Sequence, residues 1–297
     1  AKLKIGVDYG VKEYTLNIWS PPSSMKTNHD YGSGYNEDGS VARLLEEKEQ
    51  DFCNYIVKCL NHLTREEGLP APIAMSLQNE PSTATAYQSC WYDKVQYKRV
   101  AIMLRDTLDA AGYVSVKLMG PESDEYKNSV VWMGEGFTEL LNDPEYDNAI
   151  DILASHSYKG KDATDKNMID WADNIAKFPN KEAWMTEYCT AGNQMGEKEI
   201  DRAIEAVRIL TSDMAWGGIN SWFWWLGWDP RYSVKDPYQE VILEGEGKTD
   251  LYKGTIYQVL ACAKNGNRRP DNSKYRCIVK RYGSIRYCRR NRMYDYQ

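Results

Sequence analysis

Ile73-Ala74-Met75-Ser76-Leu77-Gln78-Asn79-Glu80-Pro81 is an apolar run that closes on an amide, a carboxylate and a proline. The pattern predicts a buried strand with a carboxyl group at the rim of its sheet, stopped by Pro81. Glu182-Ala183-Trp184-Met185-Thr186-Glu187-Tyr188 has the same build further along the chain. In a parallel barrel the C-terminal ends of all strands open onto one face, and barrel enzymes keep their chemistry there. Two glutamates so placed predict an α/β fold of the (β/α)8 barrel type, with Glu80 and Glu187 as a working pair of carboxylates.

The flanking sequence alternates in the way such a fold needs. Strands are predicted at Tyr14–Trp19, 73–79, Val114–Met119, Ile150–Ser155, Glu182–Thr186 and Ile219–Trp225. Helices are predicted at 41–63, Gln96–Ala111, Ser129–Asn142, Lys166–Phe178, Lys198–Met214 and Gly254–Ala263. In the first helix Phe52, Tyr55, Ile56, Cys59, Leu60 and Leu63 form the expected apolar stripe; in the helix at 198–214 it is Ile200, Ala203, Ile204, Val207 and Leu210. Residues 1–13 read as the end of a helix that begins upstream. Strand–helix alternation of this kind means a parallel sheet with helical crossovers. The count reaches six strands where a closed barrel has eight. Loops after the strands (80–94, 156–164, 226–252) are long and those before them short, as a barrel with one working face requires.

Composition narrows the function. The chain has 297 residues, 42% of them hydrophobic, which is enough for a sizeable core. Its 22 Tyr and 10 Trp against 4 Phe suit a wet, aromatic-lined groove, although Tyr in place of Phe in the core gives the same totals. The net charge is −6. Residues 264–297 reverse the sign: Arg268, Arg289, Arg290 and other basic side chains face only Asp271 and Asp295. The remaining body is therefore strongly acidic, which argues against nucleic acid as the main partner. The 7 cysteines include no CxxC pair, and the three histidines, His29, His62 and His156, have no ligand spacing, so a zinc site is not expected. No run is apolar enough to span a membrane.

Six motifs in order carry a family resemblance: Trp19-Ser20-Pro21-Pro22 with Met25-Lys26-Thr27-Asn28; Ser76 to Pro81; Gly120-Pro121-Glu122; His156-Ser157-Tyr158; Trp184 to Tyr188; and Trp222-Phe223-Trp224-Trp225. Together they resemble glycoside hydrolase family 30, retaining (β/α)8 enzymes of clan A, from about Val11 to about Leu260. The resemblance implies Glu80 as general acid/base and Glu187 as nucleophile of a double displacement, with no cofactor or metal. Such chemistry needs the carboxyl groups about 5–5.5 Å apart. It further implies Asn79 at the sugar 2-hydroxyl and Tyr188 positioning the nucleophile. Trp19, Tyr158 and a tryptophan of 222–225 would wall the subsite at the scissile bond. Neighbours on a strand alternate sides, so those tryptophans cannot all face the groove; Trp222 or Trp224 is the one expected inward. His156 reads as a site residue or as a satisfied core histidine, and Glu122 as structural rather than catalytic. The implied substrate is a β-linked polysaccharide (xylan or glucuronoxylan first, β-1,6-galactan or β-1,6-glucan next), hydrolysed by a monomeric extracellular or periplasmic enzyme.

The family pattern also carries two strands before Tyr14 and a β-sandwich side domain. The expectation is therefore a catalytic barrel over 1–263, truncated at its N-terminus, and a distinct basic segment over 264–297. That segment reads as a hairpin around Tyr282-Gly283-Ser284, as foreign sequence, or as a nucleic-acid arm. The rival reading from a different class is a non-catalytic glycan-binding barrel or an inactive fragment, which would keep the aromatic groove without turnover.

Overall fold

The computed structural model of the chain describes residues 2–126, 128–129, 142–158, 165–189 and 199–225, together with four two-residue strands further on. The elements in order are α1 (Lys2–Asp8), β1 (Thr15–Asn17), α2 (Glu49–Asn61), β2 (Ala74–Ser76), α3 (Lys94–Ala110), β3 (Lys117–Ser123), α4 (Pro144–Ala149), β4 (Ile152–His156), α5 (Asp165–Ile175), β5 (Glu182–Tyr188), α6 (Glu199–Ala215) and β6 (Ser221–Trp224). Two short antiparallel pairs follow: β7 (Leu243–Glu244) with β8 (Tyr252–Lys253), and β9 (Cys277–Ile278) with β10 (Ser284–Ile285). The last pair flanks Tyr282-Gly283, where the sequence predicts a hairpin. The chain packs as two compact units, residues 1–182 and 183–297.

In the first unit β1 to β4 are parallel and adjacent in chain order, with registers Thr15↔Ala74, Ala74↔Lys117 and Met119↔Ile152. Each link is a crossover carrying a helix, the arrangement that alternation predicts. In the second unit β5 and β6 are parallel across α6, with Trp184 opposite Ser221. Six barrel-type strands are thus present among the described residues, at the six predicted places. The helices expected at Ser129–Asn142 and Gly254–Ala263, the loop 226–252 and the boundary at 263 lie outside the described residues.

The helix expected at 41–63 begins only at Glu49. Residues 41–45 instead alternate, with Ala42 and Leu44 buried and Val41 and Arg43 partly exposed, and they make bridges to Tyr35, Lys26 and Trp91. That period of two is the signature of extended chain. The buried stripe of α2 is Glu49, Phe52, Cys53, Ile56 and Leu60, while Tyr55 and Cys59 are exposed. In α6 the stripe runs through Ala206, Ile209, Leu210 and Asp213, and Ile204 is 58% exposed. In both helices the face lies one position round from the predicted one. Short α4 was not predicted, although Asp143 caps it at Glu145 N–H (3.0 Å) and Pro144 opens it, both recognised start signals.

The loops after β1 and β2 are pinned by Lys26. It is fully buried, and its ammonium donates to the carbonyls of Asp30, Ser33 and Ser89 at 2.7, 2.6 and 2.9 Å. Burial pulls its pKa below the usual lysine range, with nearby Cys90 and Asp30 working the other way. Among the described residues no helix is long and apolar enough to cross a membrane.

Candidate active site

Four adjacent parallel strands deliver five polar side chains to one edge of the first unit. Asn17 ends β1, Asn79 and Glu80 follow β2, Glu122 lies near the end of β3, and His156 ends β4. Parallel pairing is what brings these C-terminal ends together. Glu80, Asn79, Glu122 and His156 are all buried, the last two completely. Buried polar groups must be paired, and these are. His156 Nδ1 lies 2.9 Å from Glu80 Oε1. Asn17 Nδ2 donates to both oxygens of Glu122 at 2.9 Å, and to Asn79 Oδ1 at 3.2 Å. His156 Nε2 is 4.0 Å from Glu122 Oε1. The backbone closes the ring, with Glu80 N–H donating to Glu122 C=O (3.1 Å) and Asn79 N–H to Ile18 C=O (2.6 Å).

The local conformation is unusual at both carboxylates. Glu80 has φ +47° and Glu122 φ +63°, the left-handed region that side chains with a Cβ avoid. Each such residue costs about 1–2 kcal/mol, and conformations of this kind collect at functional sites. Glu122 also sits in a register shift, since Pro121 faces Ala154 and Ser123 faces Ser155. One extra residue in a strand is a bulge, and bulges re-aim side chains beside active sites. The Gly120–Pro121 peptide before it is cis, and Gly120 passes so close to the Tyr97 hydroxyl that a Cβ there would collide with it. Burial, with the Glu122 carboxylate adding to it, pushes the Tyr97 phenol well above its usual range.

Trp19 is half-buried after β1 and packs on exposed Tyr87 (ring centroids 5.8 Å, 45° apart). Gln78 Nε2 holds the Trp19 carbonyl at 2.8 Å. Tyr158 is partly exposed, its ring edge-on to His156 at 5.8 Å. Both rings thus stand beside the polar cluster with surface to offer.

The second unit presents Glu187, 8% exposed, near the end of β5. It too lies in a register shift, between Met185↔Trp222 and Tyr188↔Trp224. Trp222 is fully buried and donates its indole N–H to Asp213 of α6 at 2.8 Å. Tyr188 packs on Trp222 and Trp224, each at 6.1 Å. Burial, then Glu205 of α6, push its phenol well above the ordinary range. Positions 222 and 224 share one side of the strand, and the indole of Trp222 is turned to α6. The register of the strand decides this, and the sequence does not show that register. Trp225, just past the end of β6, is half-buried. Glu122 and Asn17 are the site residues that sequence reasoning missed, and the one available signal was the Pro-Glu-Ser at a strand end.

Residues 48–236 match the family model described as Glycosyl hydrolase family 59, well over half of the chain. No curated protein matches. Among solved structures, the family 30 subfamily 8 xylanase Xyn30A of Clostridium acetobutylicum is 22% identical with a TM-score of 0.58, over 77% of this chain and 52% of that one. The catalytic domain of xylanase C of Talaromyces cellulolyticus, also of family 30, is 16% identical with a TM-score of 0.65, over 88% and 56%. An endo-β1,6-glucanase is 16% identical with a TM-score of 0.60, over 84% and 55%. At these identities the likeness is one of fold, and the fold is the (β/α)8 barrel class. The chain spans about half the length of these structures. The motifs that resemble family 30 lie at the strand ends of a shared barrel, so they identify the barrel class without separating one of its families from another.

Proposed function

The chain belongs to glycosyl hydrolase family 59, and from that premise we propose that it hydrolyses a β-linked polysaccharide with retention of configuration, Glu80 serving as acid/base and Glu187 as nucleophile. The observation that carries the reading is the polar cluster around Glu80, a buried carboxyl group held by His156 and flanked by Asn79. Glu187 attacks the anomeric carbon while Glu80 protonates the departing oxygen; Glu80 then deprotonates the water that releases the sugar from Glu187. Asn79 binds the 2-hydroxyl, a contact that strengthens in the transition state. Trp19 and Tyr158 offer aromatic faces to the C–H faces of the sugar, and Tyr87 extends that platform. Xylan is the first substrate to test, with β-1,6-galactan and β-1,6-glucan after it, and the enzyme is expected to act as a secreted monomer. The fold neighbours include xylanases and an endo-β1,6-glucanase, which supports that order.

Reducing-sugar release from the three polymers tests this directly. Glu187→Gln should lower turnover by about 10⁴-fold or more, the scale of losing a covalent nucleophile. Proton NMR should show the β-anomer as first product. An α-anomer first would exclude the double displacement, and polymer binding without turnover would favour the glycan-binding barrel.

A further inference from the structure

Glu122 does more than fill space. A buried carboxylate costs several kcal/mol in desolvation, and a neutral side chain would fill the same volume without that cost. This one is fully buried, sits in a bulge and adopts φ +63°; both its oxygens take the Asn17 amide at 2.9 Å, and it faces His156 Nε2 at 4.0 Å. The other ring nitrogen, Nδ1, holds Glu80 Oε1 at 2.9 Å. The Asn17 amide that binds Glu122 also reaches Asn79 at 3.2 Å. Glu122 is therefore hydrogen-bonded through one intermediate side chain to Asn79 and by its own carbonyl to the Glu80 N–H at 3.1 Å, and its charge stands at ion-pair distance from the ring that holds Glu80. Tyr97, fully buried on α3, is the further titratable side chain whose ionisation feels its charge.

We propose, resting on the acid/base role given to Glu80, that Glu122 is a positioning residue for proton transfer: through His156 and Asn17 it fixes the Glu80 carboxyl and the Asn79 amide in their working orientations. A carboxylate on the Nε2 side of the ring favours an N–H at Nε2, which leaves Nδ1 as the acceptor for the Glu80 carboxyl O–H at Oε1. Carboxylate–imidazole pairs orient a working group in this way when they sit behind metal ligands and nucleophiles.

Leaving-group dependence distinguishes this role from simple support. A 2,4-dinitrophenolate departs without protonation and a phenolate needs it. The phenyl and 2,4-dinitrophenyl β-glycosides of xylobiose, galactose and glucose are the probes. On the sugar the wild type accepts, Glu122→Gln should lower kcat/KM for the phenyl glycoside by about tenfold or more, and that for the dinitrophenyl glycoside by less than about threefold. Asn17→Ala, which leaves the buried charge in place, should show the same asymmetry to a smaller extent if Glu122→Gln does not melt cooperatively. Equal losses on both probes, or none, overturn the proposal while leaving the glycosidase standing. A wild type that hydrolyses none of the probes overturns both. Nitrogen NMR of the unaltered site gives a readout that needs no variant of the cluster. With exposed His29 and His62 replaced by Gln, the remaining ring should carry its proton at Nε2, and a ring protonated at Nδ1 alone sinks the proposal.

Discussion

Around Glu80 the neighbouring side chains are amides, a carboxylate and an imidazole, joined by short hydrogen bonds; along β5 and β6, beside Glu187, they are aromatic rings packed on a helix. Both carboxylates are buried and both strands that matter are bulged, at Glu122 and at Glu187. The difference lies in what burial achieves. Buried polar groups return little net stability, because each protein hydrogen bond replaces one to water, but they fix orientation sharply. Buried aromatic rings return a large apolar area and fix orientation loosely. The first region is therefore built for precise placement and the second for stability. Substitutions should separate the two.

The largest stability loss belongs to the aromatic region. Trp222→Ala removes a fully buried indole and its hydrogen bond to the Asp213 carboxylate, at a cost of about 3–5 kcal/mol. Urea denaturation should show that loss as a large fall in midpoint. Glu80→Gln should do the reverse. It keeps the shape, leaves His156 an acceptor and lowers turnover by about 10²–10⁴-fold, the share of a general acid/base. Its denaturation midpoint should move far less than that of Trp222→Ala. If Glu80→Gln unfolds as readily as Trp222→Ala, the first region is a structural core and the contrast collapses.

The same contrast explains what could be read from the sequence. Strand positions were legible because apolar runs bounded by Pro and Gly have few other readings, and Glu80 and Glu187 were legible because each closes such a run. What failed was direction. The faces of α2 and α6 were assigned one position off, because Tyr55, Cys59 and Ile204 are apolar by composition yet sit at the edge of the stripe. The choice between Trp222 and Trp224 stayed open in the sequence, because only the fold shows the Trp222 indole meeting Asp213 of α6. Glu122, after Pro121, reads from the sequence as structural rather than catalytic. Its value comes from Asn17 and His156, which are remote in sequence and meet it only through the parallel order of β1, β3 and β4.

The smallest expected effect sharpens the comparison by changing burial alone. Asp93 lies in the same unit as the Glu80 cluster and makes the same kinds of contact as its members: it caps α3 by accepting the Gln96 N–H at 2.8 Å, and it pairs with Arg43, whose guanidinium also covers the Trp91 ring at 4.8 Å. Its side chain, however, is 41% exposed. Partial burial works against the charged form, yet the Gln96 N–H and Arg43 together hold its carboxyl below the usual range. A depressed pKa stabilises the fold above the unfolded-state value, near about 4, and that contribution is lost as pH falls through the folded-state value. With solvent screening the pair, Asp93→Ala should cost only about 1 kcal/mol, the ordinary worth of an N-cap. Urea titrations of wild type and variant should differ by that much at pH 7 and converge once the pH has fallen below the folded-state value, where the wild-type carboxylate is protonated too. A difference as large as that of Trp222→Ala would mean that polar contacts in this unit carry its stability whether buried or not, and burial would no longer explain why the Glu80 cluster is suited to placement. A difference that persists undiminished in acid would assign the effect to the packing of Asp93 and not to its charge.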